Sequence, residues 1–386
     1  MTIGEKSVAL HRKLKGKIEL TSKYDVKNKE DLALVYTPGV AAACLAIKDN
    51  PEEAYNLTSK NNTVAVISDG TAVLGLGDIG PLAAMPVMEG KAVLFKKFAN
   101  VDAIPLVLDI KDTEELIKTI SHLAPSFGGI NLEDISAPRC FEVERRLREM
   151  LDIPVFHDDQ HGTAIASCAA LLNALKLVKK DIKEAHIVVN GAGSAGTAIT
   201  SFLIELGAEN IVVCDIAGIL DPSDETLSSY QQNLARVTNQ KGLRGDLSDA
   251  LVDADVFIGV SAGNILKKEM VARMANDAIV FALANPTPEI AREDALEGGA
   301  VVYGAGISNT PNQINNALVF PGLFKGLLEA RVRQITTEME IAACLALSNI
   351  IPEDELRPDY IIPDVFNLNV SKDIAKAIID IQDKTT

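Results

Sequence analysis

The feature that most constrains this chain of 386 residues is the alternation of short apolar runs with stretches of helical periodicity. Eight runs have the length of buried strands: 63–68, 103–110, 153–156, 186–191, 210–215, 255–260, 278–285 and 300–306. Segments with a helical period lie between most of them, including 112–123, 138–150, 162–179 and 194–207. Strands buried on both faces are apolar throughout, and helices connect parallel strands. The alternation therefore predicts parallel sheets with helices on both faces.

The length predicts more than one folding unit, because domains commonly hold ~150 residues. A long helical segment from residue 161 separates two series of strand-like runs, and we place a boundary there. We expect an α/β catalytic domain over 1–160, a second α/β domain over 161–330 and a helical segment over 331–386. Two helix starts are also marked: Asp112 or Thr113 as one cap, and Ser136 as another with Pro138 in its first turn.

Charge and cysteine usage exclude several classes of protein. The net charge is −16 and no block of lysine and arginine interrupts it, so nucleic acid is not an expected partner. The five cysteines are scattered and form no Cys-x-x-Cys pair, which indicates a reducing, cytoplasmic location. We also expect no signal peptide and no membrane span, because no apolar run has the required length.

A glycine fingerprint follows the strand-like run at 186–191. In "HIVVNGAGSAG", Gly191 permits a tight turn, Gly193 lets the backbone approach a pyrophosphate, and Gly196 lets the next helix pack closely. Ser194 and Ala195 open that helix, whose free amides and dipole favour an anion. The second domain is therefore predicted to be a Rossmann-type dinucleotide-binding fold; the alternative is a glycine-rich turn without a ligand.

An acidic residue at the end of the next strand sharpens the cofactor prediction. Asp215 has the spacing expected of a residue that binds the ribose hydroxyls of NAD and repels the 2′-phosphate of NADP. The residues that follow, Ile216 to Gly218, carry no positive charge. We therefore predict NAD, with NADP as the alternative.

The segment "FHDDQHGTA" at 156–164 places two aspartates between His157 and His161. A zinc site on a helix would use His-Glu-x-x-His, but the glutamate is missing and His157 follows a strand-like run. Zinc is one interpretation, and solvent-exposed loop acids are another.

A third interpretation brings in Glu133 and Asp134, which follow the strand-like run "FGGIN". The ends of parallel strands meet at one edge of a sheet, where ligands bind. Glu133, Asp134 and one of Asp158 and Asp159 can therefore converge. Carboxylates without cysteine form a hard oxygen site suited to Mg²⁺ or Mn²⁺.

Lys91 and Tyr36 are candidates for proton transfer. Lys91 opens an apolar stretch, and burial would lower its pKa and make it a usable base. The alternative is a surface lysine whose stem lies along apolar neighbours. Tyr36, in "LVYTPGVA", is either an acid or a half-buried core residue.

Several motifs together resemble those of the malic enzymes, above all the short bacterial and archaeal form. The resemblance covers residues 16 to 330. It rests on "YTPGVA", "SDGTAVLGLGDIGP", "AMPVMEGKAVLFK", "NLEDISAP", "VFHDDQHGTA", "GAGSAG", "FALANPTPE" and "NQINNALVFPGLFKG". It implies oxidative decarboxylation of malate to pyruvate and CO₂, with NAD(P)⁺ and a divalent metal.

The resemblance also implies roles for residues in these motifs. Lys91 would be the general base for the substrate hydroxyl and would contact substrate, Tyr36 would be the general acid, and Asp158 would orient or tune Lys91. The metal ligands would be Glu133, Asp134 and Asp159. Asn285, Asn315 and Asn316 would contact substrate, and Asn285 would also reach the nicotinamide side.

One position departs from the pattern. Larger family members carry an arginine two residues after the Asp-Gly of "SDG", where it binds a substrate carboxylate, and this chain has Ala72. The N-terminal region that binds effectors in those members is also missing. We expect a homodimer or larger homo-oligomer. An oxaloacetate decarboxylase without net redox chemistry, and a nucleotide-sensing module without catalysis, are the alternative functions.

Overall fold

The computed structural model describes residues 1–73 and 75–385. The strands are β1 Thr63–Ser68, β2 Asp102–Val107, β3 Gly129–Leu132, β4 Val155–His157, β5 His186–Asn190, β6 Asn210–Asp215, β7 Gly218–Ile219, β8 Val256–Gly259, β9 Ala278–Ala282 and β10 Ala300–Ala305. The α-helices are α1 Ile3–Leu14, α2 Lys29–Val35, α3 Val40–Asp49, α4 Ala54–Leu57, α5 Pro81–Ala99, α6 Thr113–Leu123, α7 Arg139–Met150, α8 Thr163–Val178, α9 Ser194–Glu205, α10 Ser229–Val237, α11 Leu247–Ala250, α12 Lys268–Val271, α13 Arg292–Glu297, α14 Phe320–Glu329, α15 Thr337–Ser348 and α16 Asn369–Thr385. A π-helical turn, Asp158–Gly162, leads from β4 into α8. Short 3₁₀ turns cover Pro51–Glu53, Ser59–Asn62, Ala124–Ser126, Asn316–Leu318 and Glu353–Glu355.

Two sheets organise the chain. The first has the order β2-β1-β3-β4 and is parallel throughout. The second has the order β10-β9-β8-β5-β6-β7 and is parallel except for β7, which pairs antiparallel with β6. The predicted α/β class with a Rossmann-type second sheet and C-terminal helices is confirmed. Every predicted apolar run contains strand residues, and β1, β3, β4, β8 and β9 are buried along their whole length.

The helix starts were predicted with mixed success. The Asp112 side chain accepts a hydrogen bond from the backbone N–H of Glu115, so the cap of α6 is confirmed. The prediction for α7 was wrong: the helix begins at Arg139 after Pro138, and Ser136 supplies its backbone carbonyl to the Cys140 N–H rather than a capping side chain. Ser136 lies in the loop that follows β3, and its own N–H donates at 3.0 Å to the hydroxyl of Thr71 in the loop after β1.

Helix α8 joins the two sheets and lies in the core. Eleven of its residues are buried, from Ala164 to Leu175. One apolar cluster includes side chains from β1, α5, α8, β5 and the C-terminal helices. Helices α15 and α16 pack on each other and on α14 and α8, so the C-terminal segment shares its core with both sheets. The domain boundaries at residues 160 and 330 remain predictions.

The N-terminal arm, residues 1–57, has no buried residue along its length. Helices α1 to α4 contain no buried residue. One anchor to the rest of the chain is Lys17, whose backbone N–H donates to Glu89 and whose amine donates to the Pro86 carbonyl at 2.6 Å. The large apolar side chains Leu32, Leu34 and Val35 of α2 and Val40 and Leu45 of α3 are exposed in this single chain.

Two helical stretches, 29–49 and 158–178, are long and apolar enough to cross a membrane by length and composition alone. The second is 67% buried inside the protein and contains the core helix α8. The first belongs to the arm, and none of it is buried. The expectation that the chain has no membrane span remains a prediction.

Candidate active site

Four carboxylates meet at the carboxyl edge of the first sheet. Glu133 and Asp134 follow β3, and Asp158 and Asp159 follow β4; the two strands are parallel neighbours. Glu133, Asp134 and Asp159 each offer an oxygen within 4.8 Å of the others. The Asp134 N–H also donates to Asp159 Oδ2 at 2.7 Å. The structure therefore brings together the three carboxylates proposed as metal ligands.

The electrostatics of this cluster favour a cation. Burial, together with repulsion from Asp159, raises the pKa of Glu133 to about 7, although Lys91 opposes the change. Burial and the neighbouring carboxylates raise the pKa of Asp134 to about 9. Asp134 Oδ2 is also buried without a hydrogen-bond partner. A hard divalent cation would satisfy this oxygen and offset the repulsion, so the donor set fits Mg²⁺ or Mn²⁺.

Lys91 reaches the cluster from α5. Its side-chain nitrogen lies 2.5 Å from Asp158 Oδ2 and 2.8 Å from Glu133 Oε1. It is 8% exposed, so the surface-lysine interpretation is wrong. The expectation of a lowered pKa is also wrong for these surroundings. Burial alone would lower the pKa of Lys91, but Asp158 and Glu133 outweigh burial and raise it above its usual range.

The histidines of the acidic segment do not join the metal cluster. In the part of the chain that the structure describes, the group able to hold a metal consists of three acids and no histidine. His157 is fully buried, and burial lowers its pKa to about 4. His161 lies between Glu144, at 3.0 Å from Nε2, and Glu340, at 3.3 Å from Nδ1. This geometry gives the zinc interpretation no support.

Glu144 and Glu340 are residues that the sequence did not single out. Both are buried, at 4% and 7% exposure, in helices where a buried glutamate is unusual. Glu144 faces the core side of the amphipathic helix α7, among Cys140, Val143 and Leu147. A charged residue on the apolar face of a predicted helix is the signal that points to it.

The glycine fingerprint forms the expected turn at the carboxyl end of β5. Gly191 has φ +114°, and a Cβ there would lie 2.8 Å from the Val260 carbonyl. A Cβ on Gly196 would overlap the carbonyl oxygen of Gly191, so only glycine lets α9 pack this closely. Over Gly193 the space is open, with nothing within 4 Å of an added Cβ. No side chain caps α9, so its first amides face open space that suits a pyrophosphate.

One cleft of about 540 Å³ joins the two halves of the site. Its lining includes Lys91, Glu133, Asp134 and Asp159 from the first half of the chain, and Ser194, Ala195, Asn285, Asn315 and Asn316 from the second half. The acids and the dinucleotide turn therefore open into the same space. Ala72 also lines it, and no arginine is among the described residues that do so. Nearby Arg139 is paired with the buried Asp69.

Six predicted site residues are not among those that line this cleft: Tyr36, Asp158, Gly191, Gly193, Gly196 and Asp215. Asp158 contacts Lys91 at the edge of the cleft, and the three glycines belong to the turn and helix start beside Ser194 and Ala195. Asp215 ends β6, beside β5, and its Oδ2 accepts a hydrogen bond from Gln231 at 2.7 Å. Tyr36 follows α2 in the N-terminal arm and is 68% exposed. The half-buried core interpretation of Tyr36 is therefore wrong for the single chain.

Comparison with known proteins agrees with this geometry. The family model described as malic enzyme, N-terminal domain, matches residues 15–148, and the model described as malic enzyme, NAD binding domain, matches residues 160–382. The NAD-dependent malic enzyme of Geobacillus stearothermophilus is 55% identical over 380 residues, covering 98% of this chain and 79% of that protein. The bifunctional malic/malolactic enzyme of Bacillus subtilis is 51% identical over 379 residues, covering 98% and 92%.

Solved structures agree as well. The NAD-dependent malic enzyme from Thermotoga maritima has a TM-score of 0.94 and 50% identity, with 97% of this chain and 98% of that chain covered. Malic enzyme from Pyrococcus horikoshii has a TM-score of 0.95 and 44% identity, with coverage of 100% and 91%. Because both family models match and these relatives are similar over almost the whole chain, the chain belongs to the malic enzyme family.

Proposed function

We propose that this protein catalyses the oxidative decarboxylation of (S)-malate to pyruvate and CO₂ with reduction of NAD⁺. The observation that carries the proposal is the shared cleft. Lys91 and three clustered carboxylates open into the same space as the amino end of α9, where a dinucleotide would bind. A reaction that removes a hydride and then CO₂ from one small substrate needs both groups side by side.

The divalent metal and NAD⁺ would have different roles in the reaction. Mg²⁺ or Mn²⁺, held by Glu133, Asp134 and Asp159, would polarise the substrate oxygen as a Lewis acid and offset the carboxylate charge. NAD⁺, held at Gly191, Gly193 and Gly196 with the amides of Ser194 and Ala195, would accept the hydride from C2 of malate. The same binding would place the nicotinamide side near Asn285.

Lys91 moves the first proton. As the general base it takes the proton from the C2 hydroxyl, and the contact with Asp158 at 2.5 Å fixes its amine in place. The surrounding carboxylates hold a proton on Lys91 in the unliganded protein. Charge compensation at those carboxylates would return its pKa toward the range in which an amine accepts a proton.

Neutral amides take the place of the arginine that is missing at Ala72. Asn285, Asn315 and Asn316 line the cleft and can donate hydrogen bonds to a substrate carboxylate. The C4 carboxylate must lose its charge as CO₂ departs, and a strong cation would stabilise the charged form. Neutral amides bind the C4 carboxylate without stabilising its charged form as strongly as a cation would.

Asp215 supports a preference for NAD over NADP. It ends the strand next to β5, and Gln231 fixes one of its oxygens. Oδ1 accepts the N–H of Ile216, so the carboxylate has a defined direction. A carboxylate in this place accepts bonds from ribose hydroxyls and repels a 2′-phosphate.

The arm supports a homodimer. Apolar side chains of α1 to α3 are exposed in the single chain, including Ile3, Leu32, Leu34 and Leu45. Large apolar side chains exposed in this number support an interface with another protein molecule. We propose that a second copy of the chain covers it.

The dimer also gives Tyr36 a place to act. In its own chain this side chain is 68% exposed and is not among the described residues that line the cleft. We propose that the arm carries Tyr36 to the cleft of the partner, where its hydroxyl protonates C3 of the substrate after CO₂ has left. The five free cysteines and the net charge of −16 support a cytoplasmic protein that acts on a small molecule and not on nucleic acid.

The test is an absorbance assay for NADH with malate, NAD⁺ and Mn²⁺, together with separate measurements of pyruvate from malate and from oxaloacetate. NADH and pyruvate in equal amounts from malate are expected. Pyruvate from oxaloacetate without NADH from malate would favour the oxaloacetate decarboxylase. NAD⁺ binding without any turnover would favour the nucleotide-sensing module.

A further inference from the structure

We propose that Glu144 is a positioning residue for the acidic turn Asp158–Gly162, and that Glu340 on the C-terminal helix α15 supports it. This inference rests on the proposed metal site at Glu133, Asp134 and Asp159. It concerns two buried carboxylates that lie behind the turn, outside the residues that line the cleft.

Glu144 holds the turn at both ends. One carboxylate oxygen, Oε1, accepts the backbone N–H of His157 at 3.1 Å, immediately before the turn. The other, Oε2, lies 3.0 Å from Nε2 of His161, near the end of the turn. One side chain therefore fixes two points that are four residues apart, and Asp158 and Asp159 lie between them.

Glu340 extends this contact to the C-terminal segment. Its Oε1 lies 3.3 Å from the other ring nitrogen of His161 and 3.2 Å from a guanidinium nitrogen of Arg148. Arg148 also donates to the Val155 carbonyl in β4 at 3.0 Å. Helices α7 and α15 thus both contact the His161 imidazole, and Arg148 connects strand β4 to the same group of side chains.

The turn needs such support because its backbone is unusual. A π-helical turn is wider than an α-helix, is rarely formed, and occurs often at functional sites. On the cleft side, Asp158 contacts Lys91 and Asp159 accepts the N–H of Asp134. A shift of the turn would move both carboxylates together, so the contacts behind it determine where the metal ligand Asp159 points.

Charge explains why carboxylates are suited to this task. Glu144 and Glu340 each contact two basic side chains, His161 and Arg148, so both buried carboxylates have hydrogen-bonding or ion-pair partners. Residues that orient metal ligands from behind commonly change metal affinity about 10–100-fold when they are replaced.

The test measures Mn²⁺ binding to the purified full-length protein by electron paramagnetic resonance of free Mn²⁺, without substrate or nucleotide. The chain has no tryptophan, so this readout is preferable to fluorescence. We expect Glu144→Gln to raise the Kd for Mn²⁺ by about 10–100-fold and to leave NAD⁺ binding unchanged. Glu340 does not contact the His157 amide, so Glu340→Gln should raise the Kd for Mn²⁺ by a smaller factor, about 3–10-fold.

The matched control is Glu142→Gln, on the exposed side of the same helix, where Glu142 pairs with Arg146. It should bind Mn²⁺ within about twofold of the wild type. A folded Glu144→Gln protein that binds Mn²⁺ like this control would overturn the inference, even if it melts at a lower temperature.

If Glu144→Gln does not fold, the Glu340→Gln protein provides the test: weaker Mn²⁺ binding supports the inference and unchanged binding overturns it. Wild-type protein that binds no Mn²⁺ would overturn the metal site and this inference together, whereas equal binding by all variants would leave the metal site standing.

Discussion

Helices α3 and α8 have similar compositions and opposite surroundings. The sequences "VAAACLAIKD" and "TAIASCAALLNALKLV" are both rich in alanine, valine, leucine and isoleucine. Helix α8 has eleven buried residues, whereas α3 has none. An apolar helix is stabilised by the surface it covers, so the comparison indicates that the surface for α3 belongs to another molecule.

The same difference in burial separates the proposed catalytic residues into two groups, one in the body and one in the arm. The body of the protein, from residue 63 onward, places Lys91 and the metal-binding carboxylates in one cleft by its own packing. The arm carries Tyr36 and has no buried residue in its helices. Binding of metal and nucleotide should therefore depend on the body, while completed turnover should depend on the body and the arm together.

The largest expected effect is a loss of turnover caused by a substitution in the body of the protein. Lys91→Ala should reduce turnover by about 10²–10⁴-fold, because it removes the proposed base and leaves Asp158 and Glu133 without their cation. The measurement is kcat for NADH formation at saturating malate and Mn²⁺. Lys96→Ala, on the same helix and paired with Asp102 at the surface, should retain wild-type turnover. Equal turnover in the two variants would show that the base has been assigned to the wrong residue.

A change in the arm should act on assembly. Leu34 is 62% exposed in the single chain, so Leu34→Asp should cost the monomer little. A buried charge in a dimer interface should weaken association by about 10²-fold, which sedimentation would show as a shift toward a monomer of 41.2 kDa. Val252→Asp, which replaces an exposed valine of the body, is the control and should stay associated. A Leu34→Asp protein that sediments like the wild type would remove the arm from the interface.

The smallest expected effect is the pH dependence of stabilisation by Mn²⁺, which tests metal binding independently of assembly. The pKa values of Glu133 and Asp134 are raised to about 7 and about 9, so in the metal-free protein these carboxyls retain protons and their ionisation destabilises the fold as pH rises through this range. Protons also compete with the cation. Saturating Mn²⁺ should therefore raise the Tm by a few degrees more at about pH 8.5 than at about pH 6, measured by calorimetry. The Leu34→Asp protein should show the same pH trend, and a larger shift at the acidic pH would contradict the charge assignment.

The sequence predicted the sheets well because their signal is local. Strand β1, "TVAVIS", is buried along its whole length, and a strand covered on both faces has no polar alternation. The glycine turn was predictable for a similar reason, since close packing permits only glycine at Gly191 and Gly196. The convergence of Glu133, Asp134 and Asp159 required one further step, the rule that parallel strands end at the same edge.

Side-chain contacts across the fold were not predictable. The pKa of Lys91 was expected to fall with burial, but it rises because Glu133 and Asp158 arrive from strand ends 42 and 67 positions farther along the chain. The contact between His161 and Glu340 joins helices 179 positions apart, and no local pattern encodes it. The prediction that Ser136 caps α7 was wrong because Ser136 lies in the loop after β3, where its N–H donates to Thr71.

The most direct test of the two-part site is complementation between inactive variants. Tyr36→Phe and Lys91→Ala proteins are purified separately, mixed in equal amounts, dissociated and reassociated, and assayed for NADH formation. A mixed dimer would hold one cleft with Lys91 from one copy and Tyr36 from the other, so activity should return to about a quarter of the wild-type value. Activity that stays at the level of the separate variants, although mixed dimers have formed, would contradict the account.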